Sequence, residues 1–150
     1  MAAQKRTDYS GTPLYRKLGI KQESLVLLDS PPQGFSRALG RLPDGAELAE
    51  GEVEGAPDVV VMFVTRYQDL AGRFRGLWVK LAPAGGIWVA WPKKSSPIEN
   101  DLSFELVQDV GLAAGLVDNK SCAIDHDWQG LRFVRRRHPR GVGGSEGVRP

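Results

Sequence analysis

The sequence predicts an α/β fold of three layers, a mostly parallel sheet between helices, closed by an antiparallel hairpin at its C-terminal end. Three observations carry this. Val59, Val60, Val61, Met62, Phe63 and Val64 form an unbroken apolar run, the pattern of a strand buried on both faces. The next segment changes period. Tyr67, Leu70, Ala71, Phe74, Leu77, Trp78 and Leu81 recur at helical spacing, with Arg66, Asp69, Arg73, Arg75 and Lys80 on the other side, so a helix with one apolar face is expected. Pro83 and the pair Gly85-Gly86 stop it, and Ile87 to Trp91 make a second buried strand. A crossover of this length joins parallel neighbours in a right-handed sense.

The remaining elements follow in order. Residues 1–11 are polar and without periodicity, which predicts a mobile N-terminal tail. Thr12-Pro13 reads as an N-cap followed by proline at the first helical position, opening a short helix with Leu14, Tyr15 and Leu18 on its apolar side. Ser24 to Asp29 is the first strand, and it ends in a rigid loop, Ser30-Pro31-Pro32-Gln33-Gly34. A short helix over Phe35 to Leu39, a turn over Leu42 to Gly45 and an edge strand over Ala46 to Ala49 come next. After the central unit, Asp101 or Ser103 caps a helix whose buried stripe is Leu106, Val107, Val110, Ala113 and Ala114, ended by Gly115. Leu116 to Asp125 and Gly130 to Arg136 are strand-like, and the short gap between them predicts the closing hairpin. Residues 138–150 are glycine-rich and aperiodic, which predicts a disordered tail. The expected organisation is one domain over residues 12–137.

Bulk properties narrow the function classes. The chain has 150 residues and 41% apolar side chains, which suits a single core. No apolar run approaches a bilayer span and no secretory leader is apparent, so a membrane is excluded and a cytoplasmic location is expected. One cysteine, Cys122, rules out an internal disulfide and a thiolate zinc site. No spacing supports another metal. Residues 135–150 hold five arginines against one glutamate, while the rest of the chain holds 15 basic and 17 acidic side chains. The acidic body argues against nucleic acid. Consecutive Arg135, Arg136 and Arg137 on a strand are expected to alternate faces, without forming one basic patch.

In an open parallel sheet, ligands bind at the carboxyl ends of the strands. Three loops are expected there, with Asp29, Ser30, Gly34 and Phe35 in the first, Thr65 and Arg66 in the second, and Trp91, Lys93 and Lys94 in the third. Arg66 with the two lysines suits an anion such as phosphate or carboxylate. Asp125-His126-Asp127 reads as an exposed turn, and Cys122 as a buried, inert thiol.

The order of elements resembles the class I S-adenosylmethionine methyltransferase fold, a three-layer Rossmann-like sheet that closes with such a hairpin. The blocks TPLYRKLGIK, GAPDVVVMFVT, GGIWVAWPKK and GLVDNKSCAIDHDWQGLRFVRR are similar to a bacterial, mainly actinobacterial, family known as a domain of unknown function (DUF3052). The resemblance runs from about Thr12 to Arg137 and implies the fold, with S-adenosylmethionine as the cofactor such a fold takes. Four departures from the methyltransferase pattern weigh against that cofactor. The loop after the first strand is DSPPQGF, with one glycine and two prolines in place of a GxGxG run. The second strand offers only Glu50 for ribose hydroxyls. FVTR stands where an NPPY-like motif is common, and Gly51 to Pro57 is too short for a further strand and helix. The expectation is a non-catalytic or degenerate methyltransferase-like binding or interaction module, with no catalytic residue and no cofactor. Its partner is a small anionic ligand or another protein. The alternative is a divergent S-adenosylmethionine-dependent methyltransferase or other small-ligand enzyme.

Overall fold

Six strands form one sheet: β1 (Leu25–Asp29), β2 (Glu47–Glu50), β3 (Val59–Phe63), β4 (Gly86–Pro92), β5 (Leu116–Ala123) and β6 (Trp128–Arg135). Their order is β2-β1-β3-β4-β6-β5. The four strands from β2 to β4 pair in parallel, and β6 runs antiparallel to both β4 and β5. Four helices accompany them: α1 (Leu14–Lys17), α2 (Phe35–Leu39), α3 (Tyr67–Trp78) and α4 (Phe104–Ala113). The computed structural model describes residues 12–137; the tails expected at 1–11 and 138–150 lie outside them.

The chain leaves β1 toward β2, then returns to place β3 on the other side of β1. Right-handed crossovers in opposite directions put their helices on opposite faces. The core is accordingly split in two by the sheet. Leu27, Val60, Met62, Ile87, Val89, Leu131 and Phe133 point to the α3/α4 side, where they meet Leu70, Phe74, Leu77 and Val107. Val26, Leu28, Val59, Val61, Phe63, Trp88 and Ala90 point to the α1/α2 side and meet Leu18, Phe35 and Leu39. Strands β3 and β4 are buried along their whole length, as their continuous apolar runs require. The link from β2 to β3 has no helix, and Val53 in it packs directly on the α3/α4 core.

Several local expectations are corrected. Pro13, rather than Thr12, holds the N-cap position of α1, and no side chain caps that helix. Helix α3 ends at Trp78, short of Pro83. The Arg135 guanidinium closes that end early by donating to the carbonyls of Ala82 (2.9 Å), Leu81 (3.1 Å) and Trp78 (3.4 Å) while lying 5.6 Å from the Trp78 ring. Tyr67 is 41% exposed and Ala71 is exposed too, so the buried stripe of α3 is Leu70, Phe74 and Leu77. On α4 the exposed Leu106 and Ala113 fall outside the buried stripe, which is Val107 and Gly111 with Val110 and Ala114 beside them. Ser103 caps α4 by accepting from the Leu106 amide at 3.2 Å. Asp101 instead caps α3, its carboxylate accepting from the Tyr67 amide at 2.7 Å.

Gly111 belongs to the stripe because the Phe133 ring occupies the space its β-carbon would need. Gly72 and Gly76 in α3 face open space. Opposite signs follow for the same substitution. Gly72→Ala and Gly76→Ala should each stabilise the fold by about 0.5–1 kcal/mol, through reduced chain entropy in the unfolded state and better helix propensity. Gly111→Ala should destabilise it, by roughly 1–3 kcal/mol, because a fully buried ring must move. Urea denaturation of the three variants tests this, and a stabilising Gly111→Ala contradicts the close approach of α4 to β6.

Candidate functional site

The reversal of strand order lies between β1 and β3, so the carboxyl ends of these two strands are where a ligand of an open α/β sheet is expected. This structure fills the place with its own side chains. Arg73, from the second turn of α3, reaches back over the sheet. Its Nη2 donates to Asp29 Oδ2 at 2.8 Å and to the Phe63 carbonyl at 3.4 Å, tying the ends of β1 and β3 together. On the other face, Phe35 meets Phe63 edge-on at 4.8 Å, and Phe63 meets Trp128 at 5.2 Å. All three rings are buried. The loop between β1 and α2 takes its shape from Ser30, at a φ of 56°, and Gly34, at 85°. Pro31 and Pro32 carry no amide hydrogen to offer a ligand.

The nine predicted site residues therefore separate. Asp29 is committed to Arg73, Phe35 to the aromatic cluster, and Ser30 and Gly34 are exposed in the loop. The Thr65 carbonyl accepts the Asp101 amide at 3.2 Å, which fastens the end of β3 to the approach of α4. Trp91 is buried, with the Phe104 ring 6.5 Å away. Arg66, Lys93 and Lys94 do come together. They line a cleft of about 510 Å³ with Ser96, Asn100 and Asp101. An adjoining cleft of about 680 Å³ shares the two lysines and runs past Trp91, Phe104 and Gln129. The first cleft also holds the carboxylates of Glu99 and Asp101, the latter accepting from the Tyr67 amide, so three cationic side chains face two acidic ones there.

Neither Arg73 nor Arg132 is among the nine predicted site residues. Arg73 falls on the polar side of the α3 pattern, and only the tertiary placement of α3 over β1 reveals its role. Arg132 is half-buried on β6, and burial lowers its pKa from the ordinary guanidinium value. Arg132, Arg135, Arg136 and Arg137 line one cleft at the end of the sheet. The strand ends at Arg135, and the long side chains beyond it are free of the pleat that would separate them. Cys122 is partly buried beside Ile124 and Trp128. Burial pushes its thiol up, against a smaller opposing pull from Lys17 and Lys120. A raised thiol is a poor nucleophile at neutral pH. Asp125 and His126 are exposed at the hairpin tip, where Asp125 Oδ1 accepts from the amides of Asp127 (2.8 Å) and Trp128 (2.9 Å). Among the described residues no three His, Cys, Asp or Glu side chains gather into a metal-binding group. Nor is any helix among them long and apolar enough to cross a membrane.

Residues 35–137 match the family described as "Protein of unknown function (DUF3052)". The chain belongs to that family. No curated protein matches it in sequence. The fold of this DUF3052 chain is similar to solved structures that include methyltransferases. The fibrillarin pre-rRNA processing protein of Methanococcus jannaschii superimposes with a TM-score of 0.59 at 13% identity, covering 84% of this chain and 70% of that one. An S-adenosylmethionine-dependent methyltransferase from Aquifex aeolicus gives 0.53 at 13% identity, covering 80% and 86%. The magnesium protoporphyrin IX methyltransferase of Synechocystis, solved with bound S-adenosylhomocysteine, gives 0.54 at 10% identity, covering 77% and 75%. At these identities the likeness is one of fold.

Proposed function

We propose that the chain is a non-catalytic methyltransferase-fold module that takes a small anionic ligand at the carboxyl end of its sheet, in the cleft of Arg66, Lys93 and Lys94. The observation that carries this reading is Arg73. Its guanidinium sits across the ends of β1 and β3 and holds Asp29 at 2.8 Å, in the place where an open sheet of this kind receives its cofactor. The aromatic trio of Phe35, Phe63 and Trp128 fills the other side of the same strand ends. Pro31 and Pro32 leave the first loop with two fewer backbone donors for a cofactor. Glu50, at the end of β2, is exposed and has no loop folded over it to form a ribose site.

The cationic cleft supplies what the filled crevice does not. Arg66 starts α3, and Lys93 and Lys94 follow β4. Lys93 is fixed by its backbone, whose amide donates to the Asp127 carbonyl at 2.8 Å. A guanidinium and two ammonium groups outweigh the carboxylates of Glu99 and Asp101 around about 510 Å³, and the excess positive charge suits a carboxylate or phosphate on a small body.

Isothermal titration of the full chain with S-adenosylmethionine should give no saturable heat. A dissociation constant in the low micromolar range would overturn the reading and favour the divergent methyltransferase that the fold also allows. Native mass spectrometry of the purified chain should show a carried-through small anion, absent from the Lys93→Ala/Lys94→Ala double variant.

A further inference from the structure

The opposite end of the sheet, where the parallel strands begin, holds a second cleft of about 500 Å³. One wall is the end of α1 and the loop from it to β1, with Lys17 and Lys21. The other is the exposed part of the β5–β6 face, with Lys120 and Arg132, and Asp58 and Ala84 form the floor at the starts of β3 and β4. This cleft is separate from the one with Arg66. A strand of ordinary length, roughly 17–20 Å, stands between the two ends of such a sheet.

Lys120 and Arg132 are direct partners across the β5–β6 ladder. They therefore project from the same face, and like charges directly opposite one another on neighbouring strands destabilise a sheet. The Arg132 side chain leans away from Lys120, toward β4 on the other side of β6. It lies over Gly86, where an added β-carbon would come within 2.6 Å of its Cζ and Nη2. Desolvation alone lowers its pKa, with no acidic group acting in the other direction. Among the described residues Arg132 has neither a hydrogen bond nor an ion pair.

The two carboxylates in the cleft leave that charge unmatched. Asp58 Oδ2 accepts the Leu25 amide at 2.8 Å, which joins the starts of β1 and β3. Glu23 has a left-handed backbone, with φ at 66°, and its carboxylate turns toward Gly45. A half-buried guanidinium normally has a carboxylate partner, because withdrawing a permanent charge from water is costly without one. A guanidinium offers two parallel N–H donors to a tetrahedral oxyanion, and flanking ammonium groups add charge without demanding a fixed geometry.

We propose that this cleft binds a phosphate-bearing small molecule, with Arg132 gripping the phosphate in bidentate fashion and Lys120 and Lys21 beside it. Its volume falls within the range of small-ligand sites. Gly86 has a role in this reading, because it gives the guanidinium room to lie against the sheet. The bound anion also removes the repulsion between Lys120 and Arg132, so ligand and fold stabilise each other.

The test is a titration of the full chain with pyrophosphate at constant ionic strength, followed by amide NMR. Saturable shifts are expected at Gly19 to Ser24, at Lys120 to Cys122 and at Arg132. Arg132→Gln and Lys120→Gln should each weaken binding by about tenfold, the loss expected for one charge-assisted contact. Arg66→Gln should leave it unchanged. Without pyrophosphate, Lys120→Gln should melt no lower than the parent, since it relieves a repulsion; a purely structural lysine would melt lower. If Arg132→Gln does not fold, Lys120→Gln, at an exposed position, decides the matter alone. Shifts that do not saturate, or that both variants leave unchanged, overturn the proposal. So do shifts centred on Arg66 and Lys94, or binding that appears only with oligonucleotides and spreads over Arg136 and Arg137.

Discussion

Trp88→Ala should remove roughly 3–5 kcal/mol of stability through the lost ring and the cavity it leaves, with a further loss from one orphaned acceptor. Trp88 has no exposed surface and is the largest fully buried side chain. It sits in the middle of β4, between the parallel half of the sheet and the antiparallel half. Its ring lies over Gly130 of β6, 3.0 Å from where a β-carbon there would stand. Its Nε1–H donates to the Leu18 carbonyl at 3.0 Å, which pins the end of α1 to the sheet. The substitution strips that buried carbonyl of this donor, and an unmet acceptor costs about 1–3 kcal/mol. The whole stability of a domain is only about 5–15 kcal/mol, so much of the population should unfold at physiological temperature. Trp88→Phe separates the two effects, because it retains most of the packing and loses only the hydrogen bond. Chemical denaturation followed by far-UV circular dichroism provides the measurement. A loss below about 1 kcal/mol for Trp88→Ala would mean that α1 and β6 do not close over this ring.

The fold was legible because its strongest signals are also its most buried elements. The runs at Val59 and Ile87 carry no polar residue for either face, so they have no stable place except the centre of a sheet covered on both sides. The alternation at Leu131 and Phe133, together with the short gap before it, marked the closing hairpin. Errors fell where one element's boundary is set by another. The end of α3 is closed by Arg135, from a strand 57 residues away from Trp78, and no local pattern in α3 foretells that. The stripe of α4 includes Gly111 because a Phe133 ring fits against it. A periodicity count based on large apolar side chains passes over a glycine.

The site was less legible for a related reason. Pattern reading located the strand ends and the cationic residues near them, and Arg66, Lys93 and Lys94 do meet there. It did not find that Asp29 is already held by Arg73, since a charged residue on the solvent side of a helical pattern reads as solvated. Arg132 was hidden in a similar way. On an alternating strand it occupies the position of an outward polar residue. Yet β6 is an inner strand, and its outward face forms the wall of a cleft. Lys120 gave no sign of pairing with it, because the irregularity between Asp118 and Lys120 shifts the register of β5.

Phe74→Ala should cost a similar amount, about 3–5 kcal/mol, and its consequence should extend to the filled crevice. Phe74 is 2% exposed and faces the sheet from the middle of α3. Its ring meets Phe133 edge-on at 5.7 Å, a geometry worth about 0.5–1.5 kcal/mol beyond the buried area. Phe133 in turn is covered by α4 at Gly111. Three elements therefore converge on one pair of rings, and none can collapse into the gap without leaving another contact. Tyr67→Ala on the same helix is the control, since an exposed side chain away from such features usually changes stability by less than about 0.5 kcal/mol. Arg73 is the residue before Phe74, so the docking of Phe74 sets the rotation of α3 that brings the guanidinium to Asp29. Once the ring is removed, the Asp29–Arg73 pair should loosen. Hydrogen exchange at the ends of β1 and β3 should then rise more than it does in β5. Equal exchange at both places, with a stability loss under about 1 kcal/mol, would show that α3 is held over the strand ends by something other than this aromatic pair.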